Sequence, residues 1–157
     1  IKAMDFDKFY ALAEPYLKEA VTKDYDLKKI ATLVKTRIEI LPEIKEQVDF
    51  FEELPDYDIA MYTHKKMKTN AETGLSALKM LLPVLGGVED WNEENIHSAI
   101  FAEIEKQGVK NGFMLWPLRV ALSGKALTPG GGIELAAILG RDETIRRTEA
   151  AITKLGG

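Results

Sequence analysis

The chain has 157 residues with 21 Lys and Arg against 25 Asp and Glu, a formal net charge of -4, two histidines and no cysteine. Disulfides and thiolate zinc sites are thereby excluded, and two histidines are too few for a histidine-rich metal site; the missing cysteines suit a reducing cytoplasm. No apolar run approaches the roughly 18 residues of a membrane span, no charged-plus-apolar leader opens the chain, and the negative balance speaks against an indiscriminate nucleic-acid binder.

Helical periodicity dominates from the start. Asp5 to Ala13 and Pro15 to Val21 read as two short amphipathic helices, Phe6, Phe9, Tyr10, Leu12, Tyr16, Leu17 and Val21 forming the apolar set and Pro15 restarting the second. Asp26 caps Leu27 to Ile38, and Glu43 to Leu54 follows Pro42. Pro55 to Asp58 is a turn, Ile59 to Thr63 a short helix, and Lys65 to Thr69 a loop. Thr69 or Asn70 then caps a helix from Ala71 to about Leu85, which Pro83 is expected to kink or end early. Asn92 caps Glu93 to Gln107, closed by Gly108. Phe113 to Leu122, Pro129 to Leu139 and Asp142 to Leu155 complete the set. No stretch alternates with period two for long enough to make a strand, so the expected fold is all-α. The expected junction near Gly86-Gly87 divides it into sub-domains 1–86 and 87–157.

Charge is segregated along the chain. Glu39 to Asp58 carries eight acids against Lys45 alone, and Lys65, Lys66 and Lys68 follow directly. From Lys106 to Ile133 there is no Asp or Glu, while Lys106, Lys110, Arg119 and Lys125 lie in that window. A uniformly solvated surface mixes its signs, so this window reads as an anion-facing surface, with Arg119 and Lys125 as its strongest phosphate candidates and Lys110 as a weaker one. A helix opening at Thr128 with Pro129 at its first position would leave the Gly130 and Gly131 amides free for a ligand. Such a helix start holds phosphate or a base edge, although an ordinary capped helix explains the same residues.

Other candidates divide between chemistry and packing. Arg37 is the only arginine before Arg119. Its planar fork could read a base edge bidentately, or pair with Glu39 or Glu43 on a solvated helix end. Trp116, among Met114, Leu115 and Leu118, reads as core, the alternative being a stacking face for an unpaired base. His64 and His97 have no partnering carboxylate or nucleophile pattern and read as structural or surface residues. There is no P-loop and no G-x-S-x-G elbow, so no catalytic or metal residue is assigned.

The string W-P-L-R-V-A-L-S-G-K-A-L-T-P-G-G-G-I-E-L-A-A-I-L-G-R-D-E-T-I-R-R from Trp116 resembles the C-terminal anticodon-binding region of bacterial glutamyl-tRNA synthetases. W-N-E-E-N-I-H (Trp91 to His97), Y-T-H-K-K-M-K-T-N (Tyr62 to Asn70) and D-L-K-K-I-A-T-L-V-K-T-R-I-E-I-L (Asp26 to Leu41) extend the resemblance over nearly the whole chain. It implies that Arg37 reads the last anticodon base and that the Thr128-Pro129-Gly130-Gly131 turn holds the middle and last bases. Gly131-Gly132 stand where many relatives place a leucine and an aromatic, which removes any side-chain stacking there. Lys65-Lys66-Met67-Lys68 is similar to the K-M-S-K-S loop that class I synthetases use on ATP, but it lacks the serine and falls in the helical half.

The resemblance further implies a cytoplasmic, monomeric ligase whose ATP- and Mg2+-dependent catalytic domain is absent from this chain, which is expected to be inactive alone. Its partner would be the anticodon loop of tRNA(Glu). The lack of an initiator Met before Ile1 suits a piece of a longer protein. Two alternatives stand beside this reading: a helical protein-interaction module with no RNA role, supported by the acidic Glu39 to Asp58 run, and the same region of a non-discriminating synthetase that also charges tRNA(Gln).

Overall fold

A computed structural model describes residues 2–157, and the apolar periodicity resolves among them into eight α-helices. These are α1 (Phe6–Ala20), α2 (Leu27–Val34), α3 (Ile44–Glu52), α4 (Ala71–Gly86), α5 (Glu93–Gln107), α6 (Asn111–Ser123), α7 (Gly132–Leu139) and α8 (Arg141–Lys154). Tight 3-10 turns cover Leu41–Glu43 and Ile59–Tyr62. The described residues hold no strand, in keeping with the all-α expectation; a lone antiparallel bridge joins His64 to Thr69.

Most helix starts are where the polar caps put them. The Asp26 carboxylate accepts from the Lys28 and Lys29 amides, Asn70 accepts from the Thr73 amide at 2.9 Å, and Asn92 accepts from the Asn95 amide at 2.8 Å. Each thus satisfies donors that the first turn leaves without partners. Gly108 and Gly124, with φ of 65° and 67°, end α5 and α6 in the left-handed conformation that a glycine adopts without strain.

Prolines are where local reasoning and the fold part company. Pro15 does not divide α1, which runs unbroken through it, and Pro83 does not end α4 early. Phe9, Ala13 and Leu17 lie four residues apart on one face of α1 and are fully buried. Burial on both sides of Pro15 holds the helix together despite the lost hydrogen bond. Leu81 and Leu85 hold α4 together across Pro83 in the same way, both fully buried.

α1, α2 and α3 pack on one another, α4 lies against α5, α6 and α8, and α7 is wedged among α5, α6 and α8. One apolar core runs through both groups, from Phe9, Ile30 and Phe51 to Leu81, Ile100, Leu118 and Leu135. A smaller cluster of Tyr62, Leu78, Trp116 and Val120 fastens the segment before α4 to α6.

Polar groups also join the helices across the chain. The Arg147 guanidinium of α8 is fully buried. It donates to the Phe50 carbonyl of α3 at 2.8 Å, to the Leu122 carbonyl of α6 at 2.7 Å and to Glu143 at 2.7 Å. Lys125 pairs with Asp49 at 2.5 Å and Lys154 with Asp56 at 3.1 Å. Two acids of the Glu39 to Asp58 run are therefore met by cations from the C-terminal half, at the surface.

Candidate nucleic-acid interface

The end of α2 and the loop between α6 and α7 lie against each other, and the loop also meets Arg119 of α6. Helix α7 begins at Gly132, not at Thr128 as its cap-and-proline pattern suggests. The reason lies in the turn itself. The Thr128 hydroxyl donates to the Gly130 carbonyl at 2.6 Å, and Gly130 adopts a φ of 90°, outside helical space. Thr128 and Pro129 are buried, whereas Gly130 and Gly131 are half-buried.

The Gly131 amide is not free. It donates to the Glu134 carboxylate at 2.6 Å, the one half of a capping box open to a glycine, in which the third helical residue reaches back to the residue before the helix. The glutamate that ends the acid-free window in sequence thus folds back into it in space. Its signal was available, three residues past Gly131, but the assumed start at Thr128 hid it. The Gly130 amide has no hydrogen-bond partner among the described residues.

Arg119 stands at the centre of the surface. Its guanidinium lies 5.8 Å from the Trp116 ring centroid and donates to the Ala126 carbonyl at 3.3 Å. Burial lowers its pKa below the ordinary arginine value, the Arg37 charge lowers it further, and Glu134 opposes both. Arg37 is exposed in the turn after α2, and neither Glu39 nor Glu43 pairs with it: among the described residues it makes no ion pair. Glu43 is committed instead to the Glu39 and Ile40 amides. The end of α2 abuts the turn closely enough that a Cβ on Gly130 would lie 3.2 Å from Leu33.

Lys125 departs from expectation. No acid neighbours it in sequence, but its ammonium sits on Asp49 and also donates to the Glu46 carbonyl at 2.6 Å. The premise that it is unopposed fails because α3 supplies partners from 76 and 79 residues away in the chain. Lys110 is exposed just before α6, beside a cleft of about 240 Å³ lined by Asn111, Trp116, Arg119, Gly131 and Glu134. Trp116 is 7% exposed and so belongs to the core, as its apolar neighbours indicate, yet its ring lines the cleft. Its indole N–H donates to the Met61 carbonyl at 3.2 Å, and His64 meets it edge-on at 4.5 Å.

Sequence reasoning missed the part played by residues 60–69. His64 and Thr69 close a hairpin whose tip is Lys65 to Lys68, and Met67 lines the cleft against Gly112 of α6. His64 is half-buried against Trp116, and His97 is exposed and stacked on Phe101 at 4.2 Å, both consistent with structural or surface roles.

The surface thus combines Arg119, an indole-lined cleft and a tight glycine turn against the end of α2. Comparison with known proteins bears on the fold and the family. The chain is 54% identical over 156 residues to a glutamate–tRNA ligase of Clostridium acetobutylicum and 52% identical over 155 residues to one of Clostridium tetani. In each case 99% of this chain is covered but 32% of the relative, so the chain spans about a third of the length of these curated relatives. A solved glutamate–tRNA ligase from Elizabethkingia meningosepticum superposes with a TM-score of 0.80 at 25% identity, over 97% of this chain and 30% of that one. The glutamate–tRNA synthetase of Elizabethkingia anophelis shares the fold, with a TM-score of 0.75 at 24% identity over 97% of this chain and 29% of that one. The anticodon binding domain model matches residues 8–152, and with that span covering all eight helices but the edges of the first and last, this chain belongs to the anticodon binding domain family.

Proposed function

We propose that this chain reads the anticodon loop of tRNA(Glu) for a class I glutamate–tRNA ligase. The observation that carries the reading is the cleft at the Thr128-Pro129-Gly130-Gly131 turn, lined by Trp116, Arg119 and Gly131, with the end of α2 packed against Gly130. Splayed single-stranded bases are recognised by hydrogen bonds to their edges and by stacking, while cations hold the phosphates. Arg37 reads the last base, the turn and its Gly130 amide hold the neighbouring bases, and Arg119 and Lys110 position the backbone. Lys125, set back against Asp49, acts mainly on the fold.

In the intact protein a catalytic domain would activate glutamate with ATP and Mg2+ and transfer it to the 3' end of the tRNA. That chemistry belongs to the catalytic domain, and no residue of this chain is given a part in it. The same reading makes the protein a cytoplasmic monomer; among the described residues no helix is long and apolar enough to cross a membrane. The division into two units belongs to this proposal as well. The sequence puts it at residues 86 and 87, whereas the packing of α4 on α6 and α8 favours a division between α3 and α4, and limited proteolysis followed by mass analysis chooses between them.

A titration of an anticodon stem-loop RNA against the chain at several salt concentrations tests the main claim. With four to six phosphates neutralised, log K falls against log salt with a slope of about -3 to -4, at roughly 0.7 per contact for single strands. A salt-insensitive interaction, or none at low salt, would sink the reading and leave the protein-interaction module in its place.

A further inference from the structure

The tip of the 64–69 hairpin is held against its own preference. Lys68 adopts a φ of 56°, a left-handed conformation disfavoured for a lysine. Within the hairpin the Lys68 amide donates to the Lys65 carbonyl at 3.2 Å and the Met67 amide to His64 Nδ1 at 3.2 Å. Lys65, Lys66 and Lys68 are exposed and take part in no ion pair among the described residues. Met67 reaches from the tip to the body of the molecule, where its thioether lies over Gly112 of α6. A Cβ at Gly112 would stand 2.8 Å from the sulfur, so the contact exists because this helix position is a glycine. An unbranched, polarisable thioether suits so narrow a notch.

The residue that makes this contact is also open to water. Met67 is 41% exposed, whereas Met114 is fully buried and Met4, Met61 and Met80 are half-buried. Among the five methionines it is therefore the one that a dissolved oxidant meets first. Exposure and a packing role coincide in one side chain, on the wall of the cleft.

We propose that Met67 is a reversible oxidation site for hydrogen peroxide and that its sulfoxide releases the hairpin tip from α6. The sulfur lone pair attacks one peroxide oxygen and the O–O bond breaks. The proton of the attacked oxygen passes to the departing hydroxide, so sulfur loses two electrons and water leaves. The product is a polar, chiral group where an apolar one was packed. Its oxygen requires hydration that the notch over Gly112 does not give, so the side chain leaves the notch and the tip loses its hold on the helix. Methionine sulfoxide reductases restore the thioether, and with it the contact. The modification goes beyond the RNA reading and does not depend on what occupies the cleft.

The test treats the chain with graded hydrogen peroxide and maps its methionines by mass spectrometry. A brief trypsin exposure of the native protein then reads nicking after Lys65, Lys66 and Lys68, which requires the tip to open. Met67 is expected to oxidise at least about threefold faster than Met61 or Met80. Oxidised chain should be nicked at the tip roughly two- to tenfold faster, the range for loss of one thioether contact, and a sulfoxide reductase should return the rate to its untreated value. Met67→Leu keeps an apolar tip that peroxide does not modify, so its nicking rate should not respond to the oxidant. Gly112→Ala fills the notch and should speed nicking with no oxidant present. Oxidation of Met67 no faster than that of the half-buried methionines would overturn the proposal, as would full oxidation at Met67 with an unchanged nicking rate. So would a peroxide response in Met67→Leu equal to that of the unsubstituted chain, or a Gly112→Ala tip as resistant as the original.

Discussion

Arg37 and Lys125 show how far a charged side chain can be judged by its neighbours in sequence. Arg37 has Glu39 and Glu43 within six residues and pairs with neither, while Lys125 has no nearby acid and is bound by one. Charge in a window predicts exposure; it does not predict pairing, which is settled by helices that arrive from elsewhere in the chain. The two residues therefore separate experimentally. Arg37→Gln is expected to reduce discrimination between stem-loops that differ at the last anticodon base, by about 1–3 kcal/mol of selectivity for one bidentate contact, with little change in thermal stability. Lys125→Ala is expected to lower the melting temperature while leaving the salt slope of RNA binding unchanged. Binding titrations across anticodon variants, run beside thermal melts, check both; a lowered salt slope for Lys125→Ala would return that lysine to the RNA surface.

At the level of single elements, helix interiors and caps were legible where one residue decides the matter, as at Asp26, Asn92 and Gly108. Starts and interruptions were less so. Pro15 looked like a helix breaker because the local cost of a proline is large, but burial of Phe9 and Leu17 on either side outweighs it. The start of α7 slipped by three residues because Thr128 and Pro129 carry every local mark of a first turn, and only the left-handed Gly130 and the reach of Glu134 correct it. The hairpin at 64–69 was legible as a loop but not as a wall of the site, since its contact with Trp116 and Gly112 is tertiary. Its strain makes a prediction about the element. Lys68→Gly relieves the left-handed backbone and should raise the melting temperature, the gain limited to about 1 kcal/mol by the added freedom of the unfolded chain. An unchanged or lowered melting temperature would show that the conformation is not strained in solution.

Seen as a whole, the molecule explains its own acidity. The run from Glu39 to Asp58, read alone, offers a surface for a basic protein partner. In the fold, Asp49 and Asp56 meet Lys125 and Lys154, so part of the negative charge of the run faces cations of the same chain and is not left for a partner. Acid should expose the dependence on such pairs. Arg146 holds the Glu143 carboxyl at about 2, well below the usual carboxylate range, against the opposing effect of burial and with help from Arg147. A carboxyl lowered on folding stabilises the native state above its unfolded value and loses that contribution as pH falls toward its folded one. The melting temperature should accordingly fall from about pH 5 down toward pH 2, and Glu143→Gln should flatten that fall. A parallel decline in both proteins would remove Glu143 from the acid response.

The buried Arg147 carries one more consequence. Its guanidinium lines no part of the cleft, yet it holds the ends of α3 and α6, after which the chain runs on to the 64–69 hairpin and to the Thr128 turn. It works as a caliper, setting the span between jaws that lie well away from it. If the chain reads RNA as proposed, damage near the carboxyl end of the polypeptide would then be felt as misreading as well as lost stability, because the hairpin and the turn would stand at the wrong spacing.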